Sequence, residues 1–345
     1  ARLHLKDAEI CPGEAAGVVT AQSFGEASTQ MVLNVFHHAG VAQMQITLGL
    51  PRLIEILDAR KKPSTPIMEA YLDKDHNNEK EAKILAEKIK EVKLKDVASE
   101  IGIDFGSKKI EISLDQKSLR SAHITPKKIS DQLSEIKNFK AHLNDTKITI
   151  NLPELGFKEI YRLKEKLKET IVSGIKGLPQ VVVQKREKDY VILTTGSNIK
   201  EIIEIKGINR EKVFSNDIHD VSEVLGIESG RQTIINEIRL VLQSQGLDIN
   251  DRHLYLIADA MTSSGIIKGV TRMGIITDKA SILAKATFET PDKQFVNATI
   301  KGTEDELKSV IENILLNQPI PIGTGLPGLL VKVTGPLARK QKSKE

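Results

Sequence analysis

The sequence has no tryptophan, one cysteine and an aromatic content of 3% across 345 residues. So few rings argue against a platform on which single-stranded bases stack, since such surfaces rely on exposed aromatics. The lone thiol, Cys11, cannot close an internal disulfide, and no Cys or His stands near it at the spacing of a zinc knuckle. No apolar run is long enough to cross a bilayer, and Ala1-Arg2-Leu3-His4-Leu5-Lys6-Asp7 lacks the apolar block of a secretory signal. These absences lead us to expect a cytoplasmic protein with no membrane partner. An excess of one charge is missing too: 50 Lys and Arg against 46 Asp and Glu leave a formal +4. An isolated DNA-binding domain is strongly basic, so any nucleic-acid contact here is expected to be local.

The length predicts two or three domains. Pro12-Gly13-Glu14 opens a helical stretch, Ala15 to Gln22, which Gly25 is expected to interrupt. A second stretch, Ser28 to Phe36, is read as stopping at Ala39-Gly40, and a third as running from Pro51 to about Arg60 with Leu50, Leu53, Ile54 and Leu57 on its apolar face. From Ile67 strand-like and helix-like segments alternate. Ile110–Leu114 and Ile148–Ile150 read as strands, Pro126–Ile136 and Lys158–Ile171 as helices, and Val181–Val183 with Tyr190–Leu193 as a hairpin. Beyond about Ile199 the reading is mainly helical: Ile218–Leu225, Arg231–Gln245 and Asp251–Ser263. The predicted fold class is therefore multidomain α+β. Its expected parts are a helical hairpin region over 1–66, an inserted α+β domain over 67–195, a helical region over 196–338, and a disordered basic tail over 339–345.

If Ser28–Phe36 is helical, the 3.6-residue period puts Gln30, Leu33, Asn34 and His37 on one face, with Met31, Val32 and Val35 packing on the other. Two amides, a leucine and an imidazole suit a mixed ligand such as a nucleotide. The bland alternative is a surface helix whose polar residues face water. His38 points about 100° away from His37 and is read as a neighbour without a role.

The run from Pro12 to Ala42, followed by Gly49-Leu50-Pro51-Arg52-Leu53-Ile54-Glu55-Ile56-Leu57, closely resembles the trigger-loop region of the largest subunit of cellular RNA polymerases. Ala27 departs from the proline common there, which bears only on the rigidity of that joint. The resemblance implies that the loop folds over a bound nucleoside triphosphate. Gln30 and Asn34 would then contact the ribose hydroxyls, Leu33 would pack on the base, and His37 would sit near the β-phosphate. An imidazole, with an unperturbed pKa of about 6.5, can donate a proton or stabilise charge there. The resemblance resumes in Ser215–Ile218, Val224–Arg231, Arg252–Leu254, Asp259–Thr262, Gly269–Gly274 and Pro321–Gly325, which are similar to cleft and switch segments of that subunit. It implies DNA contacts at Arg252 and Arg272, phosphate contacts that position nucleic acid without reading its bases.

The sequence lacks the carboxylate cluster that would hold Mg²⁺ for phosphoryl chemistry, since Asp104-Phe105-Gly106 offers one acid. The resemblance implies that a partner subunit holds the metal, that this chain binds none, and that it is an inactive part of a DNA-directed nucleotidyltransferase when alone. The implied partners are the N-terminal half of the largest subunit, the second-largest subunit, small subunits, template DNA, transcript and nucleoside triphosphates. That missing cluster, the start just ahead of the loop and the end just past Gly325 fit an archaeal enzyme whose largest subunit is split in two, while the asparagine at 34 is the residue that archaeal and eukaryotic enzymes carry where bacterial ones usually have arginine. A fragment of a eukaryotic single-chain subunit is the nearer alternative, and a non-catalytic DNA-binding regulator the more distant one. Gly323-Thr324-Gly325-Leu326-Pro327-Gly328 matches a dinucleotide fingerprint in form only, because Pro327 sits in the turn and the chain ends before a second strand.

Overall fold

A computed structural model describes residues 10–11, 13–31, 35–37, 45–47, 49–104, 109–116, 119, 125–135, 141–144, 147–151, 156–186, 189–288 and 290–326. In chain order the elements begin with α1 (Ala16–Thr29), β1 (Val35–His37), β2 (Gln45–Thr47), α2 (Leu50–Leu57), β3 (Ile67–Leu72), α3 (Glu79–Ile89), β4 (Val92–Lys93) and α4 (Leu94–Val97). Next come β5 (Ala98–Asp104), β6 (Lys109–Leu114), α5 (Pro126–Glu135), β7 (Ala141–Asn144), β8 (Lys147–Asn151), α6 (Phe157–Lys168), β9 (Ile171–Ser173), β10 (Gln180–Arg186) and β11 (Asp189–Thr195). The last are α7 (Ile199–Ile203), β12 (Ile208–Ser215), α8 (Ile218–Leu225), α9 (Ile227–Ser244), α10 (Asp251–Thr262), α11 (Ile282–Phe288), α12 (Pro291–Lys301) and α13 (Val310–Leu315). The fold is mixed α+β with several small sheets. Among the described residues no helix is long and apolar enough to cross a membrane.

The chain divides into two compact units, one of residues 34–48 and 61–233, the other of residues 1–33, 49–60 and 234–345. The first holds two four-stranded sheets, ordered β10-β11-β3-β12 and β5-β6-β8-β7. Along β3 every second residue is buried, so Met68, Ala70 and Leu72 turn to one face and meet Ile89 of α3 and Ile199 and Ile202 of α7. In the other sheet Ile110, Ile112, Ile148 and Ile150 pack with Ile129 and Leu133 of α5 and Ile160 and Leu167 of α6. Burying each such side chain contributes about 1.5–3 kcal/mol. The second unit is helical among its described residues, with Ile234, Ile235, Ile238, Val241, Leu254, Ala258 and Met261 fully or almost fully buried.

The structure departs from the sequence reading at several points. α1 runs through Gly25 without a break, because Thr20, Phe24 and Ala27 share its buried face and outweigh the roughly 1 kcal/mol that a helical glycine costs. No helix spans Ser28–Phe36. α1 ends at Thr29, and Val35–His37 is extended, pairing antiparallel with Gln45–Thr47 so that Phe36 faces Ile46 and His37 faces Gln45. Valine and phenylalanine favour that pleated geometry. On α2 the apolar face is rotated from the expected one: Leu53 and Ile56 are buried while Ile54 is 44% exposed. β12 falls where helix was expected and pairs with β3 beyond a bulge between Ile208 and Val213. Ile171 belongs to β9, not to the helix before it.

Candidate functional site

Gln30 follows α1 as an exposed turn residue, its amide bonded to the Ala27 carbonyl at 3.1 Å. His37 lies in β1, while Leu33 and Asn34 fall outside the described residues, as does the tail at 339–345. The helical face expected to group Gln30, Leu33, Asn34 and His37 is thus not formed as one helix, since β1 is extended.

Gln30 borders an open cavity of about 230 Å³ whose polar walls come from Ser23 and Glu26 of α1 and from Asp248, Asn250 and His253, with Ala27, Leu247 and Ile249 beside them. α10 packs on α1, and Thr20 Oγ1 lies 2.8 Å from His253 Nδ1. At the start of α10 the Asn250 side chain accepts the Arg252 amide at 3.0 Å, an N-cap that leaves the Arg252 side chain exposed in the first turn. The unit thus sets Gln30 beside the segment carrying Arg252.

Arg272 is also exposed, on a tight turn. Val270 donates its amide to the Leu57 carbonyl at 2.7 Å, and Ile275 donates to Gly269 at 3.1 Å. A Cβ on Gly269 would lie 2.5 Å from the Asp58 oxygen, and one on Gly274 would lie 2.0 Å from the Gly269 oxygen. Only glycines let this turn press against the end of α2, and the turn holds out Arg272 and Met273, the latter 80% exposed. Lys268 pairs with Asp278 at 2.5 Å across its base. The Pro321–Gly325 segment returns to the approach to α1, where the Gly323 amide meets the Gly13 carbonyl at 2.5 Å.

Sequence reasoning missed the anchor of α2. Arg52 is 4% exposed and bonds Glu55 at 3.0 Å and Glu237 of α9 at 2.8 Å. Nothing in the local pattern marks it, because a charged residue on an amphipathic helix is expected to face water. Thr20 and His253 were missed too, although Thr20 stands at helical spacing from Phe24 and Ala27 and His253 follows Arg252.

The segment Ser215-Asn216-Asp217-Ile218 lies in the other unit, where its polar side chains tie a joint. Asn216 accepts the Ile67 amide at 2.8 Å and donates to the Thr65 carbonyl at 2.8 Å. Asp217 caps α8 through the amides of His219 and Asp220, and Ser197 bridges Ser215 and Asp220. Burial pushes the Asp217 carboxyl above its ordinary value against the pull of those two amides. Among the described residues no group of three His, Cys, Asp or Glu side chains is placed to hold a metal ion.

The family model described as RNA polymerase Rpb1, domain 5, matches residues 3–283, and the chain belongs to that family. It therefore represents the C-terminal region of the largest subunit of a multisubunit DNA-directed RNA polymerase, a nucleotidyltransferase that works with other subunits, DNA and RNA.

Proposed function

We propose that this chain supplies the loop that closes on the incoming nucleoside triphosphate, together with jaw elements from its α+β insert and switch elements around Arg252 and Arg272. Supporting this reading is the position of Gln30, at the end of α1 and on the same cavity as the cap that seats Arg252. Gln30 and Asn34 read the ribose hydroxyls, Leu33 packs on the base, and His37 stabilises charge leaving on the β-phosphate. Closure requires Val35–His37 to leave its ribbon. Two strands of three residues hold each other only marginally, so the change is cheap.

The metal that polarises the phosphates is carried by a partner subunit, and the chain alone is inactive. We assign the chain to the archaeal C-terminal polypeptide called A double prime; Asn34 speaks against a bacterial enzyme, which usually carries arginine there, and is shared by archaeal and eukaryotic ones. In the assembled polymerase His37→Ala is expected to slow nucleotide addition by at least roughly 100-fold, the lower range for a positioned proton donor, while leaving assembly intact. Unchanged single-nucleotide addition kinetics would refute the role of this loop. Mass spectrometry of the copurifying chains tests the division of labour: a second large subunit with an aspartate-rich metal loop is expected.

A further inference from the structure

The contact between Thr20 and His253 joins residues 233 positions apart in the chain. Thr20 is 4% exposed and sits on the packed face of α1 ahead of Phe24 and Ala27. Phe24 and Ala27 bury apolar surface there, and such packing is non-directional. The hydroxyl–imidazole bond adds a directional restraint on the rotation of α1. Further along the helix, the polar cavity opens at Ser23, Glu26 and Gln30. α1 is thus pinned by a hydrogen bond near its start and bordered by open space at its end. The residue beside the pin, Arg252, has its amide seated by Asn250.

We infer that His253 is a positioning residue for nucleotide addition: by holding Thr20 it sets the orientation of α1, and through it the placement of Gln30, relative to the start of α10. The inference rests on the reading of Gln30–Gly40 as the closing loop. A shift at the start of α10, where Arg252 would meet nucleic acid, is then passed to the nucleotide-contacting end of α1.

The test uses reconstituted polymerase carrying Thr20→Val, His253→Ala, both together, His253→Asn, or His37→Ala as the reference. Rates are normalised to assembled enzyme. Thr20→Val removes only the hydroxyl at nearly constant volume, so it tests the bond without emptying the site. Each of Thr20→Val and His253→Ala is expected to lower the maximal rate of single-nucleotide addition by about 2- to 12-fold, the range of one net hydrogen bond. The nucleotide concentration for half-maximal rate should change less. The double variant should be no slower than either single one, and His253→Asn, which keeps a polar atom near the Nδ1 position, should recover most of the rate. The inference is overturned if Thr20→Val leaves the rate untouched while His37→Ala slows it, or if the two losses multiply in the double variant. A His37→Ala enzyme that adds nucleotides normally would instead bring down the reading of the loop itself.

Discussion

In the α+β unit the large apolar side chains go inside: among its described residues Ile84, Tyr161, Phe214 and Leu225 are the exposed ones, none above 57%. The helical unit treats apolar surface in the opposite way. It exposes Met273 at 80%, Ile300 at 78%, Ile266 at 67% and Ile314 at 62%, and α12 buries none of its residues. Meanwhile it buries charge, with Arg52 at 4%, Glu55 at 5% and Glu312 at 1%. Two β-sheets faced by helices bury most of their large apolar side chains, whereas in the helical unit α9 and α10 bury such side chains but α12 and α13 leave Ile300 and Ile314 exposed. That pattern fits a component of a multisubunit polymerase.

The contrast breaks most sharply at Arg52. Arg52→Ala removes the guanidinium that Glu55 and Glu237 share, Arg60 remaining 3.9 Å from Glu55, and removing one partner of a buried ion pair costs about 3–5 kcal/mol. Urea unfolding followed by hydrogen exchange should show protection lost in α2 and α9 and kept in β6 and β8. Equal loss in both units would mean that they do not unfold separately. Ile112→Val is the smaller converse change. Ile112 is fully buried, so the lost methylene should cost about 0.5–1.5 kcal/mol and appear only in the sheet unit.

The smallest effect is a response to acid, of opposite sign at two sites, one in each unit. Asp305 is partly buried, but the amides of Leu283, Leu307 and Ile282 and the Ser281 hydroxyl outweigh that burial and hold its carboxyl below the ordinary value. Glu312 is also held low, its burial outweighed by Ser281 and Ser309. Carboxyls with lowered pKa values stabilise the fold above their ordinary values, about 3.9 for Asp and 4.3 for Glu, and that stability is lost as pH falls through the folded values. Asp217, raised by burial, behaves in reverse: its contribution is full below about 3.9 and is lost as pH rises through its folded value. Acidification towards about pH 3 should therefore speed amide exchange around Ser281–Glu312 before it does so at the start of α8. The opposite order would remove the distinction.

Much of the sheet unit was legible because its elements advertise themselves. Ile110–Leu114 and Ile148–Ile150 alternate, Pro126 starts a helix, and the run from Gln180 to Thr195 folds back on itself, each within a local window. β12 escaped notice because its residues Asn209 to Lys212 are polar and its inward positions are widely spaced across the bulge. The candidate site was less legible. Gln30 and Arg252 could be singled out by resemblance, but their proximity to one cavity could not, since it depends on α1 meeting α10 across more than two hundred residues.

The sequence by itself determined the α+β character and the family. These are written in composition, periodicity and a long run of matching residues. Only the tertiary structure decided that α1 continues through Gly25, that Val35–His37 is extended, that Arg52 is buried and that Thr20 meets His253. For α1, Arg52 and Thr20 the packing partners lie far along the chain, whereas Val35–His37 is held by Gln45–Thr47, about ten residues on, together with its own strand propensity.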